Sequence, residues 1–365
     1  MKINEVIHFL ESFAPLSLQE HYDNAGLILG DSETECTGII TSLDVTEQVV
    51  AEALKRNCNL IVAHHPIIFR GIKKLTGKNY VERTVIAAIK NEIAVYAIHT
   101  NLDNVIEGVN KKIADRLHLK NCKVLLPKEG TLTKLVTFSP LKNAEEVRNA
   151  LFSAGAGAIG NYDACSFNVE GIGTFKALKG SHPYVGKMDE LHLENEVRIE
   201  VIFPSFLQKK VIRSLKQTHP YEEVAFYIQA VENEQENVGS GLIGELADEI
   251  SEEELLQSLK TAFKLAIIKH TPLLKRPIKK IAICGGSGNF LLPNAITAGA
   301  QVYITGDIKY HEFFDADNQL LLADIGHYES EQFTIELLAD LLQEKFPNFA
   351  VLKTEMNTNP VRYFL

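Results

Sequence analysis

The apolar positions in the first part of the chain alternate between a helical period and short continuous runs. Residues 3–13 carry apolar side chains every three or four positions, as a half-buried helix does, whereas 59–63 is an unbroken apolar run typical of a buried strand. Repeated alternation of this kind indicates an α/β layer with a largely parallel sheet. The pattern predicts strands over 38–43, 59–63 and 93–98 and helices over 3–13, 46–56, 81–91 and 108–117.

A different order of elements begins after Pro127. Two helical patterns separate four strand patterns in the order β-α-β-β-α-β, which is the signature of a ferredoxin-like domain. The polar run Glu232–Asn237 has the composition of a linker. This block predicts strands over 132–138, 167–176, 197–203 and 224–231, helices over 144–154 and 206–217, and a glycine-rich loop over 155–160.

From Gly239 onward, strand and helix patterns alternate again as they do before Pro127. It predicts strands over 280–284, 301–305 and 320–323 and a long helix over about 329–346. A chain of 365 residues is long enough for two domains. We therefore expect an α/β fold in which residues 1–127 and 238–365 form one discontinuous domain. Residues 128–237 are then a ferredoxin-like inserted domain.

Polar side chains follow six of the predicted strands. Ligands of open α/β sheets bind beyond the carboxyl ends of the strands, so we expect these side chains along one rim of the sheet. Imidazole and carboxylate groups gathered there would suit two adjacent divalent metal ions. The six strand ends are Asp44, His64-His65, His99 to Asp103, Gly285 to Gly288, Gly306-Asp307 and Asp324 to Glu331.

The adjacent residues His64 and His65 have two interpretations. Neighbouring residues of a strand point to opposite faces, so one ring could lie in the core and the other at the surface. This alternation ends where the strand ends, and Pro66 favours an extended conformation at His65. Both rings could then face the same crevice and bind different metal ions.

The other candidate site residues also have two interpretations each. His327 and Glu331 share one face of a helix that starts just before Glu329, where they form either a solvated face or a metal-ligating pair. Asp103 could instead cap the helix that follows it. The glycines of 285–288 form either a tight turn or a phosphate-binding loop with free N–H groups.

Asp44 and His99 are the candidates for proton transfer. Asp44 precedes Thr46, a good N-cap residue, so a role in starting the next helix is the alternative for this segment. His99 could orient a ligand through a hydrogen bond, move protons, or be a hydrogen-bonded histidine at a strand end.

Composition argues against several classes of protein. The net charge of −10 disfavours a broad DNA-binding surface, and no apolar stretch approaches the ~18–20 residues of a membrane helix. The N-terminal segment lacks the basic and apolar regions of a secretion signal. Five scattered cysteines without a CxxC pair argue against a thiolate zinc site and favour a reduced, cytoplasmic location.

Taken together, these motifs resemble the Nif-three-like family, whose bacterial members are called GTP cyclohydrolase 1 type 2 homologues. The resemblance spans both outer segments, and the middle segment is similar to CutA and PII proteins through His219 to Ala225. One departure is Tyr22, where the family often has tryptophan. The motifs that carry the resemblance are Asp23 to Leu27, His64-His65-Pro66, His99 to Asp103, Gly306-Asp307, and Gly326-His327 with Glu331.

The resemblance implies a dinuclear metal centre in a homohexameric ring whose metal sites face an inner cavity. Zinc is the first candidate for the two ions of each subunit, with manganese, iron, cobalt or nickel as alternatives for the same mixed ligands. By motif match, the metal ligands are His64, His65, Asp103, His327 and Glu331, with Glu331 bridging the two ions.

Two classes of function are compatible with such a centre. A metal-dependent hydrolase of a nucleotide or related heterocycle would use activated water, since a metal can lower the pKa of bound water from 15.7 to ~7. Asp44 or His99 would then shuttle protons. The alternative is a regulatory or assembly protein without catalysis, in which the inserted domain is a sensor or an oligomerisation module and His219 to Val224 is structural.

Overall fold

The computed structural model describes residues 1–364 of the chain. These residues fold into two compact units, of which the first joins Met1–Pro127 with residues 237–364 and the second is Lys128–Glu236. Among the described residues, no helix has the length and apolar character needed to cross a membrane.

Short strands and short helices make up both units. In chain order the strands are β1 (Gly26–Leu29), β2 (Ile39–Ser42), β3 (Leu60–Ala63), β4 (Ala94–Ala97), β5 (Lys120–Pro127), β6 (Leu132–Pro140), β7 (Phe167–Lys176), β8 (Leu191–Pro204), β9 (Phe226–Val231), β10 (Gly239–Ile250), β11 (Lys269–His270), β12 (Ile278–Ser287), β13 (Val302–Gly306), β14 (Leu321–Asp324) and β15 (Val351–Lys353). The α-helices are α1 (Ile3–Phe13), α2 (Glu47–Lys55), α3 (Tyr80–Lys90), α4 (Thr100–Asp103), α5 (Val109–Arg116), α6 (Ala144–Ser153), α7 (Gln208–Thr218), α8 (Glu252–Phe263), α9 (Leu292–Thr297), α10 (His327–Glu331) and α11 (Thr334–Lys345).

Two sheets form the framework of the first unit. One has the order β1-β4-β3-β2-β15 and is parallel except for the antiparallel edge strand β1. The other has the order β11-β14-β13-β12-β10-β5, with β12, β13 and β14 parallel and the outer pairings antiparallel. The prediction that the polar strand ends share one rim is therefore wrong. Asp44 and His64 follow strands of the first sheet, whereas Asp307 and His327 follow strands of the second.

A single apolar core joins the two sheets, which is why the polar strand ends still meet. Helices α1, α5 and α11 turn buried residues into this core, and both sheets contribute to it, for example Leu60 from β3 and Ile304 from β13. On the first sheet, a second apolar cluster with residues of α2 and α3 covers the other face. β2, β3 and β4 are thus buried on both faces, and this explains their continuous apolar runs.

The predicted long helix over 329–346 is wrong, because this segment contains two helices. Gln332 and Phe333 separate α10 from α11. The guanidinium carbon of Arg116 lies 3.5 Å from the centre of the Phe333 ring, and Phe263 packs against the same ring. These tertiary contacts hold the junction between the two helices in place. They cannot be predicted from the periodic pattern of apolar residues.

The second unit has one antiparallel sheet in the order β7-β8-β6-β9, with α6 and α7 packed on one face. This is the ferredoxin-like arrangement, so the predicted fold class is confirmed. β8 starts well before the predicted Val197, because its hairpin with β7 continues as far as the pair Lys176 and Leu191. Leu191 and Leu193 are exposed, and their side chains therefore form no buried face that a sequence pattern could reveal.

Candidate metal centre

The polar ends of both sheets meet at a cavity of about 1100 Å³ in the first unit. Four histidines and two acids gather there, and their nitrogen and oxygen atoms form overlapping groups within 4.8 Å. The structure thus brings together every residue that the motifs predict as a metal ligand, and adds His99 to them. The six residues are His64, His65, His99, Asp103, His327 and Glu331.

Each of the four imidazole rings is held through its Nδ1 atom. The Nδ1–H group donates to a carbonyl or a carboxylate, which fixes the ring and leaves Nε2 directed into the cluster. Metal-ligating histidines are commonly oriented in this way. The acceptors are the Ile98 carbonyl for His64 (2.9 Å), Asp44 for His65 (2.8 Å), Asp23 for His99 (2.8 Å) and Asp307 for His327 (2.7 Å).

Glu331 stands between two sets of potential ligands. Its Oε2 atom lies 3.0 Å from Nε2 of His65 and 3.1 Å from Nε2 of His327. Those two nitrogens are 3.3 Å apart. Its other oxygen, Oε1, lies 3.7 Å from Nε2 of His64. The carboxylate therefore faces one set of nitrogens with each oxygen, which is the placement a bridging ligand needs.

The second set contains two buried polar atoms without hydrogen-bond partners. His64 Nε2 and Asp103 Oδ1 are 3.6 Å apart, and neither makes a hydrogen bond. Buried polar atoms are normally satisfied, so this orphaned pair requires an explanation. A divalent cation would bind both atoms together with Glu331 Oε1. The residues present therefore fit a divalent metal ion bound by mixed nitrogen and oxygen ligands.

A sequence comparison agrees with these motifs. The sequence model of the Duf34/NIF3 (NGG1p interacting factor 3) family matches residues 1–360. The chain belongs to this family. The predicted family resemblance is thereby confirmed, and the fold and site described above are those of a NIF3 chain.

Individual relatives match over almost their whole length. A protein of Halalkalibacterium halodurans named GTP cyclohydrolase 1 type 2 homolog is 38% identical over 363 residues, covering 98% of each chain. A protein of the same name from Bacillus subtilis is 36% identical over 364 residues, again covering 98% of each. The crystal structure of a Bacillus cereus protein related to NIF3 aligns with a TM-score of 0.87 at 36% identity, covering 100% of this chain and 99% of that one.

Burial and neighbouring charges shift the pKa values of the residues of this NIF3 site in different directions. Burial lowers the pKa of His64 to about 4, so this ring is neutral near pH 7. Burial acts on His65 and His327 too, but neighbouring carboxylates outweigh it and raise their pKa values to about 9 and about 11. Burial and the charge of Glu331 raise the pKa of Asp103. Against its own burial, Glu331 keeps a pKa well below its usual range because His327 and the other rings surround it.

Gly286 makes room for the central carboxylate. It is a buried residue near the end of β12 with a φ of +63°, a conformation that favours glycine. A Cβ atom at this position would stand 2.3 Å from Glu331 Oε1 and would force the carboxylate to move. Gly286 therefore allows the backbone of β12 to pass close to the Glu331 carboxylate.

The glycine run that contains Gly286 does not offer free N–H groups to a phosphate. The N–H groups of Gly285, Gly286 and Gly288 each donate to a side-chain oxygen, at 2.9, 2.9 and 3.0 Å. The phosphate-binding alternative for residues 285–288 is therefore excluded, and the tight-turn interpretation remains. The acceptors, in the same order, are Asn110, Ser330 and Thr305.

The structure also shows which of the other candidate residues cap helices and what Asp44 contacts. Asp103 does not cap the following helix, whose N-cap is Gly108. Thr46 does cap α2, accepting a hydrogen bond from the Val49 N–H group as predicted. Asp44 contacts His65, and the roles of Asp44 and His99 in proton transfer stay predictions.

One residue of the site carries no signal in the sequence pattern. The hydroxyl of Thr358 donates to Asp44 Oδ2 at 2.6 Å, while Asp44 Oδ1 accepts from His65. Thr358 belongs to a C-terminal segment without helix or strand that lines the cavity. The contact between Thr358 and Asp44 therefore becomes apparent only in the folded structure. In contrast, Asp23 and Asp307, which hold His99 and His327, lie within the family motifs of the sequence.

Proposed function

We propose that this NIF3 chain binds two divalent metal ions and uses them to hydrolyse a small heterocyclic molecule. The position of Glu331 between two sets of ligand atoms carries the proposal. His65 and His327 would hold one ion, His64 and Asp103 the other, and Glu331 would bridge them. Zinc is the first choice for such mixed ligands, with manganese, iron, cobalt or nickel as alternatives.

The metal ions would supply Lewis acidity, which lowers the pKa of coordinated water and polarises a reacting bond. The chain's own residues orient the ligands and handle protons. Asp44, held by Thr358, fixes the ring of His65. His99, held by Asp23, directs its Nε2 atom toward the cluster and is the better placed of the two predicted groups to accept or return a proton.

Aromatic side chains line the cavity beside the proposed metal ligands. The ring of Phe69 stands edge-on to His99, with 5.4 Å between centroids, which connects an aromatic part of the lining to the ligand cluster. Such rings can stack on a base, and two bound divalent ions would attract a phosphate, so a nucleoside and a nucleotide both fit the proposal. The aromatic lining residues are Tyr22, Phe69, Tyr80, Phe290, Tyr328 and Tyr363.

A substrate screen with measured metal content tests this proposal. Zinc- or manganese-loaded protein is incubated with GTP, guanosine and guanine, and ring opening is followed by ultraviolet absorbance. We expect turnover of at least one of these substrates, which Glu331→Gln abolishes and which Glu344→Gln, at an exposed position of α11 outside the cavity, retains. Absence of turnover with every metal and substrate would refute the hydrolase. The metal content of the same samples tests the binding site separately.

A second candidate is a regulatory or assembly protein without catalysis. The observation in its favour is that the inserted segment forms a compact unit around its own core and has a cavity of about 710 Å³. For either function we also propose a homohexamer in the cytoplasm that takes a small-molecule ligand, such as a nucleotide. Partner capture from lysate with metal-free and metal-loaded full-length protein tests the second candidate. A partner set and a native mass that are both independent of metal would count against it.

A further inference from the structure

The inserted unit has a cavity that the metal centre does not use. It lies on the open face of the sheet, opposite α6 and α7. Side chains along β8 alternate between the faces: Val197 and Ile199 pack into the helical core, whereas Glu196 and Arg198 line the cavity. Its volume of about 710 Å³ is typical of sites for small molecules.

A buried carboxylate without a cation stands in this cavity. Glu196 is only 8% exposed, and its Oε1 atom accepts a hydrogen bond of 2.8 Å from the hydroxyl of Tyr221. The two cations of the lining are paired elsewhere, Arg198 with Glu200 and Lys176 with Asp189. Among the described residues of this unit, Glu196 has no ion-pair partner. Burying an unpaired carboxylate is costly, so the position calls for a compensating charge.

The neighbouring strand is shaped to keep this carboxylate in place. Gly173 of β7 lies directly beneath it, and a Cβ atom there would stand 2.1 Å from Glu196 Oε2. Any side chain at position 173 would displace the carboxylate. The Glu196 carboxylate therefore packs against the backbone of β7 on one side, and its remaining accessible surface faces the cavity.

Aromatic rings surround the carboxylate. Tyr221, which donates to Glu196, also packs against Phe175 and Tyr184, with ring centroids 6.0 and 6.2 Å away. Phe138 and Tyr227 form a second pair across the cavity, with centroids 5.8 Å apart. The faces of aromatic rings attract cations, and ring clusters of this kind recognise ammonium groups.

We propose that this cavity binds a small organic cation, an ammonium group carried on an apolar body. The ammonium group pairs with Glu196, and the apolar body packs against the rings around Tyr221. Further acids reinforce the preference for positive charge, because Glu170, Glu222 and Glu223 also line the cavity. The site is independent of the metal centre, and nothing in it depends on the proposed hydrolase activity.

Phenethylammonium and its neutral analogue 2-phenylethanol are the probes for a calorimetric titration of the full-length protein. We expect the ammonium probe to bind at least tenfold more tightly than the alcohol. Glu196→Gln retains the shape and an acceptor for Tyr221, and should weaken the ammonium probe by about tenfold or more, since hydrogen bonds to charged groups are worth that much. Glu146→Gln, at an exposed position of α6 on the opposite face of the sheet, should leave binding unchanged.

A second measurement separates loss of charge from loss of fold. Without ligand, Glu196→Gln should raise the melting temperature, because it removes a buried unpaired charge, whereas Glu146→Gln should not. Equal binding of both probes, or equal binding by both variants, would overturn the proposal. So would failure of wild-type protein to bind the ammonium probe at millimolar concentration, the result expected if a second copy of the chain covers the cavity.

Discussion

Metal binding should release protons, because two rings of the cluster carry protons in the metal-free protein. The pKa values of His65 and His327 are raised to about 9 and about 11. At pH 7.5 each ring is then roughly nine-tenths protonated or more. A metal ion needs the neutral ring, so binding between these two rings displaces about two protons. His64, with its pKa lowered to about 4, releases none.

The sign of the pH dependence follows from the same values. Protonated rings exclude the cation, so affinity falls as pH falls below the raised pKa values. With two protons displaced, the affinity of the His65–His327 set drops by about 100-fold for each pH unit between pH 8.5 and 6.5. Glu331 is ionised throughout this range, since its pKa lies below its usual value, and it adds nothing to the slope.

Calorimetric titration of metal-free protein with zinc in buffers of different ionisation enthalpy measures the proton count directly. We expect about two protons for this set, and any further release would come from Asp103, whose pKa is also raised. His311→Ala removes an exposed ring outside the cavity and should give the wild-type count. Zinc binding without proton release at pH 7.5 would refute the reasoning.

Three further predictions concern the site and the fold. Thr358→Val removes the donor to Asp44 and should weaken zinc binding by roughly tenfold in a chelator competition, while Thr358→Ser should not. Glu52 has a lowered pKa, so its stabilisation is present above the unfolded pKa and lost as pH falls through the folded value; the melting-temperature deficit of Glu52→Gln should shrink toward acid. Leu338→Ala should cost about 2–5 kcal/mol in denaturant unfolding, because this core side chain is fully buried.

The part of the site that depends on local sequence could be predicted. Residues His64 and His65 end a continuous apolar run, and His327 and Glu331 lie one helical turn apart, so both signals are contained in short segments. The family motifs then linked these segments across the inserted unit. The ferredoxin-like order of elements was equally local, because each helix and strand there carries its own pattern.

What could not be predicted depends on contacts between distant segments. The division of the strand ends between two sheets follows from the antiparallel pairings of β10 with β12 and β5, which no periodicity encodes. The break between α10 and α11 is accompanied by the packing of Arg116 on Phe333. Thr358 reaches Asp44 only because the C-terminal segment crosses the first sheet's carboxyl end. Glu196 looks like an ordinary strand residue until its partners are known.

The central claim is that Glu331 and the surrounding rings hold two metal ions. Elemental analysis of protein loaded with zinc and freed of excess metal tests it most directly. We predict about two ions per wild-type chain, a clear loss in Glu331→Gln, and a wild-type count in Glu344→Gln, at an exposed position of α11 outside the cavity. A double variant His65→Ala with Glu331→Ala that retains the wild-type metal count would contradict the account.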